Sequence, residues 1–367
     1  MTTTQYNAIT EKTNKLFSFL IAGLIAFAEN DWKYPYPSTL SRARGLLYGA
    51  ALEKGKWKFE SMSDFIRMVQ TPIRSWWPYE IFPDGIDPDA FLVDIDLRIP
   101  GYVEEFLLDL DDLSETQRFH ATELKLVLDN RKIKEALQQA KNHPELEEAY
   151  VVFRRFLIEN PWISVGDGVD IPREAMQLMG QVSDYYEKPS INMLHDGKYW
   201  LCPRCNGILI WANDRPRCAT DGLCDRLVDF GKSTSIFGDI RTLKMSFRKR
   251  VQLPGLPEIQ LFKELSKIPN IEVNLWPEAD RYDLSVEKKG KFHWALDVKD
   301  YASEFSLSSL FKKRPSPPYV NGMEFFYVIP NHREQINRGY LFRLKKLSPD
   351  GTQIRLMSDL IQEAQKR

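Results

Sequence analysis

The stretch WPEADRYDLSVEKKGKFHWALDVKDY, residues 276–301, decides how the C-terminal region of the chain folds. It reads as an aspartate, a short strand, a glycine-containing turn and a second strand ending Leu296-Asp297-Val298-Lys299. Successive side chains of a strand point to opposite faces, so Asp297 and Lys299 share one face while Leu296 and Val298 take the other. A three-residue loop, Lys289 to Lys291 with Gly290 in the left-handed position, pairs residue 288 with 292 and sets Asp283 opposite Asp297. A two-residue loop would shift the register by one and separate the carboxylates. The three-residue loop is adopted because it assembles a site: two carboxylates and an ammonium on one face suit a hard divalent cation, Mg²⁺ or Mn²⁺. Lys299 is then left to hold or deprotonate an attacking water, or to counter charge on a phosphate. Taken alone, Asp-x-Lys also fits a charged strand end exposed to water.

Upstream, residues 256–268 read as a helix with proline in its first turn. At about 100° per residue, Leu261, Phe262, Leu265 and Ile268 form one stripe, with Glu258 inside it and Glu264 toward its edge. An acid inside a buried stripe needs a partner or a metal.

Asp283 followed by Asp297-Val298-Lys299 resembles the pattern of the PD-(D/E)XK restriction-endonuclease-like superfamily, with Tyr282 standing where the family name has proline. Longer segments, PGLPE before the helix, LWPEADRYDL, HWALDVKDY and FFYVIPNHR, resemble the endonuclease-like protein of prokaryotic pPIWI-RE three-gene defence islands. MSDFIRMVQTPIRSWWP is similar to an N-terminal segment of that family. The resemblance implies a Mg²⁺-dependent endonuclease acting on DNA, with a PIWI-related protein and a helicase as partners. It further implies that a helix glutamate completes the metal shell, which makes Glu258 the candidate and Glu264 the reserve. The catalytic set is therefore Glu258, Asp283, Asp297 and Lys299, with Glu258, Asp283 and Asp297 as the Mg²⁺ ligands. A catalytically inactive nucleic-acid-binding adaptor is the alternative.

With 367 residues there is room for two or three domains, and 50 basic against 51 acidic residues leave no global field to attract a polyanion. Attraction for nucleic acid must be local. Two acid-free runs flank the hairpin: one holds Arg248, Lys249 and Arg250, the other Lys312, Lys313 and Arg314. Each is a candidate phosphate contact, and each also fits a solvated face.

All four cysteines fall between residues 201 and 225, as Cys202-Pro-Arg-Cys205, Cys218 and Cys224. Two thiolate pairs separated by a short β-type segment, residues 207–211, predict the tetrahedral shell of a structural zinc ribbon. The five residues between Cys218 and Cys224 exceed the usual spacing, and a disulfide or redox centre is the competing reading. Four protein ligands leave no position for a catalytic water. Trp200 and Trp211 read as ribbon core, with base stacking as the alternative.

The N-terminal half is dominated by helical periodicity. Leu16 to Ala28 is uncharged and imitates a signal peptide, yet it is too short for a span of about 20 residues and reads as a buried first helix. Ser38-Thr39 caps a helix through about Lys54; Ser61 starts another that ends near Trp76-Trp77-Pro78, the tryptophan pair being core or a partner-facing patch. The acids Asp84, Asp87, Asp89, Asp94 and Asp96 lack the spacing of a calcium loop and predict an exposed loop, with a short strand or an apolar anchor at residues 91–94. Helical patterns run from Gly101 to about Asn160, including Phe106 to Leu110 and Leu124 to Val127. One further helix is expected over 172–186, and His120 and His143 have no companion ligands. The expected architecture is multidomain α plus α/β: an irregular helical domain (1–195) for partner docking or regulation, a four-cysteine zinc ribbon (196–232), and a PD-(D/E)XK nuclease-like mixed sheet flanked by helices (233–367), in a cytoplasmic protein with no membrane association.

Overall fold

The computed structural model describes residues 3–30, 32–53, 61–83, 85–95, 97–100, 102–103, 121–165, 171–212, 214–218, 222–313 and 322–367. It divides into two compact units, Met1–Lys125 with Tyr301–Arg314 and Lys346–Pro349, and Leu126–Asp300 with Pro315–Lys345 and Asp350–Arg367. This division differs from the scheme of three successive domains expected from sequence. The cysteine module and the C-terminal sheet share one unit.

The first unit contains α1 (Thr3–Glu29), α2 (Ser38–Glu53), α3 (Met62–Val69) and α4 (Ile73–Trp76). The apolar run from Leu16 lies within α1, and Phe17, Leu20, Ile21 and Leu24 are fully buried in a core shared with Leu40, Leu47, Phe65, Trp76 and Trp77. Close approach of α1 and α2 requires Gly23, where an added Cβ would stand 2.4 Å from the Leu40 backbone nitrogen. Ser61 and Asp64 form a capping box that starts α3. The single helix expected from Ser61 to Trp77 is two, because Pro72 lacks an amide hydrogen and interrupts the ladder before α4. Trp76 and Trp77 meet edge to face with centroids 5.8 Å apart and are buried. They are core.

Residues 91–94 do not form a strand; Leu92 and Val93 are buried and both donate their amides to the Val69 carbonyl. Asp84, Asp96, Phe106 to Leu110 and His120 lie outside the described residues, as do the side chains of Leu124 to Val127. Helix α11 (Glu304–Lys313) belongs to this unit and contributes buried Leu307 and Phe311. Among the described residues, no helix is long and apolar enough to cross a membrane.

The boundary between units falls within α5 (Ala121–Asn142). In the second unit α6 (Glu147–Glu159) follows, burying Tyr150, Phe153, Phe156, Leu157 and Ile158. The single helix expected over 172–186 is α7 (Arg173–Met179) and α8 (Val182–Tyr185), separated at Gly180, whose φ of +66° ends the first of them. The stretch 1–195 is not wholly helical. Short strands β1 (Trp162–Ser164) and β2 (Tyr186–Glu187) pair on either side of β8 (Ile240–Leu243).

The C-terminal sheet contains β9 (Glu272–Leu275), β10 (Leu284–Lys288), β11 (Phe292–Val298), β12 (Glu324–Ile329) and β13 (Ile354–Leu356). Its order is β13-β12-β11-β10-β9, with parallel pairing of β11, β12 and β13 and antiparallel pairing of β9, β10 and β11. The sheet is mixed, as expected. Between β12 and β13 the chain forms α12 (Asn331–Ile336) and α13 (Tyr340–Leu347).

Helix α10 (Leu253–Leu265) and α14 (Met357–Lys366) pack on the sheet. Leu261, Leu265, Leu284, Val286, Trp294, Leu296, Val328 and Leu360 join one core. Helical backbone begins well before residue 256, at Met245–Phe247, and continues through a π-helical turn at Arg248–Gln252. Pro254, not Pro257, occupies the first turn of the regular α segment, and Pro257 lies inside it.

Candidate active site and cysteine centre

The hairpin has the register of the three-residue loop. Lys288 pairs with Phe292 and Leu284 with Leu296, where the recorded pairing ends; Asp283 and Asp297 lie one residue beyond it, near enough for the Asp297 charge to bear on Asp283. Gly290 at φ +75° makes the three-residue loop possible, and the Lys291 amide closes it on the Lys288 carbonyl at 2.9 Å. The Asp283 amide donates to the Leu296 carbonyl (3.0 Å), and its carboxylate accepts from the Val298 amide at 2.6 Å. Lys299 Nζ donates to Asp297 Oδ1 at 2.5 Å, and its amide continues the pairing to the Val328 carbonyl at 2.9 Å.

Glu258 is 4% exposed on the inward face of α10, as its place in the apolar stripe predicts. Glu264 is half-exposed and pairs with Lys267, so the reserve candidate takes no part. Both oxygens of Glu258 are engaged: Arg154 Nη2 lies 3.1 Å from Oε1 and 2.9 Å from Oε2, and Trp276 Nε1 donates to Oε2 at 2.6 Å. The Arg154 guanidinium also stands 4.6 Å from the Trp276 ring centroid and pairs with Asp280.

The four groups sense one another. Burial, with the negative charges of Glu258 and Asp297, pushes the Asp283 carboxyl well above the usual carboxylate range. Burial also raises Glu258, to about 7, against the pull of Arg154. Lys299 loses some basicity to burial, but Asp297, Asp283 and Glu258 more than restore it and hold its pKa above the ordinary value. Neighbouring Asp300 is held well below the carboxylate range: burial opposes ionisation, while Arg333, His332 and Arg204 favour it more strongly. His332 Nε2 and Arg333 Nε each lie 2.6 Å from Asp300 Oδ1, so His332 supports the end of the strand.

The cysteine centre is built from β3 (Leu194–His195), β4 (Lys198–Leu201), β5 (Leu209–Ala212), β6 (Arg215–Cys218), β7 (Thr234–Ile236) and α9 (Leu223–Leu227), which carries Cys224. The Cys202 amide bonds the Gly207 carbonyl at 2.8 Å and the Asn206 amide the Cys202 carbonyl at 2.9 Å, giving the expected knuckle. Cys202, Cys205, Cys218 and Cys224 are buried and form no disulfide, with sulfur atoms all within 4.8 Å of one another. That cluster could hold a metal such as zinc. Among the described residues it is the group of three or more Cys, His, Asp or Glu side chains with ligand atoms gathered so closely; Glu258, Asp283 and Asp297 do not form a second.

Arg248 is not a nucleic-acid contact. Fully buried, it places Nη2 3.3 Å from Cys205 Sγ and Nε 3.3 Å from Gln252 Oε1, while Gln252 Nε2 holds the Cys205 carbonyl at 2.6 Å. Gly207 is required here, because a Cβ on it would lie 2.0 Å from Arg248 Nη2. A buried guanidinium needs negative charge, and thiolate sulfur supplies it. Arg204 similarly reaches Cys224 Sγ (3.6 Å) and Asp300 Oδ2 (4.0 Å). Lys249 and Arg250 are half-buried, Lys312 and Lys313 are exposed in the last turn of α11, and Arg314 lies outside the described residues. Trp211 stacks on His195 at 3.6 Å and meets Trp200 edge to face at 6.4 Å; both are half-buried, and Trp200 packs against the cysteine cluster.

The model of a family described as a restriction endonuclease (REase) associating with pPIWI_RE matches residues 255–367, and that of pPIWI_RE three-gene island domain Y matches residues 19–164. The chain is a pPIWI-RE island protein with a restriction-endonuclease-like domain. Comparisons with curated proteins and with solved structures find no match. In the island protein, Glu258, Asp283, Asp297 and Lys299 all lie within the endonuclease match, whereas Arg154 lies within domain Y. Sequence reading had no signal for Arg154. It sits 104 residues from Glu258 in an ordinary helix.

Proposed function

We propose that the island protein is a metal-dependent endonuclease that hydrolyses phosphodiester bonds of DNA on a PD-(D/E)XK core, within a prokaryotic defence system. The observation that carries this reading is that Asp283 and Asp297 come together at one end of the hairpin, Asp283 bonded by the Val298 amide and Lys299 bonded to Asp297. The donor set fits Mg²⁺ or Mn²⁺: carboxylate oxygens are hard ligands, and crowding of Asp283 against Glu258 and Asp297 is the repulsion a divalent ion relieves. Asp283 and Asp297 would hold the ion, with Glu258 as third carboxylate. When bound, such an ion lowers the pKa of a coordinated water and neutralises charge on the scissile phosphate. The chain's own role is to fix geometry: the Val298 amide orients the Asp283 carboxylate, and Asp297 fixes the Lys299 ammonium, which would hold a nucleophilic water or counter phosphate charge.

Zinc in the cysteine cluster would be structural, since four thiolates complete a tetrahedron and a module this small draws folding free energy from its metal. DNA phosphates, a PIWI-related protein and a helicase of the same island are the partners this reading assigns. Exposed Lys312 and Lys313 remain candidate phosphate contacts.

Purified protein assayed on single-stranded DNA, double-stranded DNA and RNA with Mg²⁺, Mn²⁺ or EDTA tests the reading. Cleavage is expected with either cation and not with EDTA, and Asp297→Ala or Lys299→Ala should abolish it in folded protein. Undiminished cation-dependent cutting by both variants would refute the site. Tight DNA binding without any cleavage would favour the inactive adaptor instead. Co-purification with the two island partners at low salt tests the assembly.

A further inference from the structure

One stripe of α6 grips the turn that delivers Asp283. Glu147, Tyr150 and Arg154, spaced three and four residues apart, share a helix face. Glu147 Oε1 accepts from the Ala279 amide (3.1 Å), the Tyr150 hydroxyl donates to Asp280 Oδ2 (3.0 Å), and Arg154 pairs with both Asp280 and Glu258. The gripped turn is strained: Trp276, Glu278, Ala279 and Asp280 are non-glycine residues with φ of +47°, +53°, +51° and +63°. Left-handed backbone of this kind persists where surrounding contacts over-determine it. Here the contacts come from domain Y, and the residues they restrain come from the endonuclease match.

Arg154 has a second effect. It takes both oxygens of the carboxylate that would be third in the cation shell, and Trp276 adds a further bond to Oε2. Three bonds fill three of the roughly four lone-pair positions of this carboxylate and leave one on Oε1, so what opposes an ion here is the fixed orientation of Glu258 and the guanidinium charge beside it. An arginine at this position also places a positive charge beside a site meant for a cation.

We propose that Arg154 is a gate on the cation site, opposing entry of Glu258 into the metal shell so that the endonuclease gains its third carboxylate only when the guanidinium is withdrawn from Glu258. The proposal rests on the cation reading above. It gives α6, a helix of the same compact unit, a restraining role carried by an ion pair whose side chains are 15% and 5% exposed.

The test is calorimetric titration of Mn²⁺ into the full-length protein without nucleic acid, comparing wild type, Arg154→Met, Arg154→Lys and Arg154→Met combined with Glu258→Gln. Removing the guanidinium should tighten Mn²⁺ binding by about tenfold, the order expected from deleting one nearby positive charge. Lysine, which keeps the charge but lacks the fork that spans Glu258 and Asp280, should fall between. The gain should vanish when Glu258 is glutamine. Equal or weaker binding by folded Arg154→Met overturns the gate and leaves the cation site standing. Absence of binding by every form overturns both. Should Arg154→Met not fold, Arg154→Lys decides by the same criterion.

Discussion

Asp283→Asn separates what the site does for chemistry from what it does to stability. Asparagine keeps the shape and an acceptor oxygen for the Val298 amide, now 2.6 Å from the carboxylate, so no buried donor is orphaned. What disappears is a negative charge buried against Glu258 and Asp297. Carboxylates directly opposed on antiparallel strands have Cβ atoms about 5 Å apart. At about 6 Å and an effective dielectric of about 20, one such repulsion is about 3 kcal/mol. Relaxation and partial protonation reduce it, so a net gain of about 1–2 kcal/mol is expected at pH 8.

The sign follows from the raised pKa. The folded state binds this proton more tightly than the unfolded chain, so the wild type is penalised above the ordinary carboxylate pKa. That penalty fades as pH falls toward it. Thermal melts of both proteins in buffer free of divalent cations should show Asp283→Asn melting several degrees higher at pH 8 and no higher at pH 4, while Mn²⁺ binding is lost at both. Lower stability at every pH, or an advantage that ignores pH, would refute the reasoning that like charges crowd this site.

Three further outcomes follow from neighbouring groups. Cys205→Ser should release metal from the cysteine cluster and strand Arg248, whose Nη2 is 3.3 Å from that sulfur, lowering stability by about 3–5 kcal/mol; metal analysis and denaturant titration check both. Asp300→Asn should destabilise by a similar order at pH 7, read by melting temperature. The Asp300 carboxyl is depressed in the folded state, so its contribution is present above the unfolded carboxylate pKa and disappears as pH falls through the folded value; the two proteins should converge in acid. Glu278→Gly relieves a φ of +53° at the loss of an exposed pair with Arg281, and a stabilisation of about 1 kcal/mol is expected from denaturant unfolding.

Local rules account for what was legible in the sequence. The loop around Gly290 leaves two registers open, and the pairing of Lys288 with Phe292 matches the one adopted because it assembles a site, while strand alternation puts Asp297 and Lys299 on one face. Helical angle alone places Glu258 in the inward-facing stripe, where it is buried. The four cysteines announced their cluster by spacing. Charge counting failed at Arg248, because a basic run gives the number of cations and not their direction, and burial was decided by sulfur from a distant segment of the chain. Strands β1, β2 and β8, two to four residues each, are too short for alternation to register. Pairing alone makes them strands. The α6 grip on the 276–280 turn was invisible for a deeper reason. Glu147, Tyr150 and Arg154 have ordinary helix-surface spacing, and their meaning exists only where two distant segments touch.

The π-helical turn at Arg248–Gln252 sets the rotational phase of everything that follows it in α10. Its ends are pinned to the knuckle, Arg248 by sulfur and Gln252 by the Cys205 carbonyl, and Glu258 comes six residues later. Shortening that turn by one residue would swing the downstream helix by about 100° relative to its anchor, carrying Glu258 away from the hairpin. The sulfur cluster therefore acts as an indexing pin for a carboxylate it never touches.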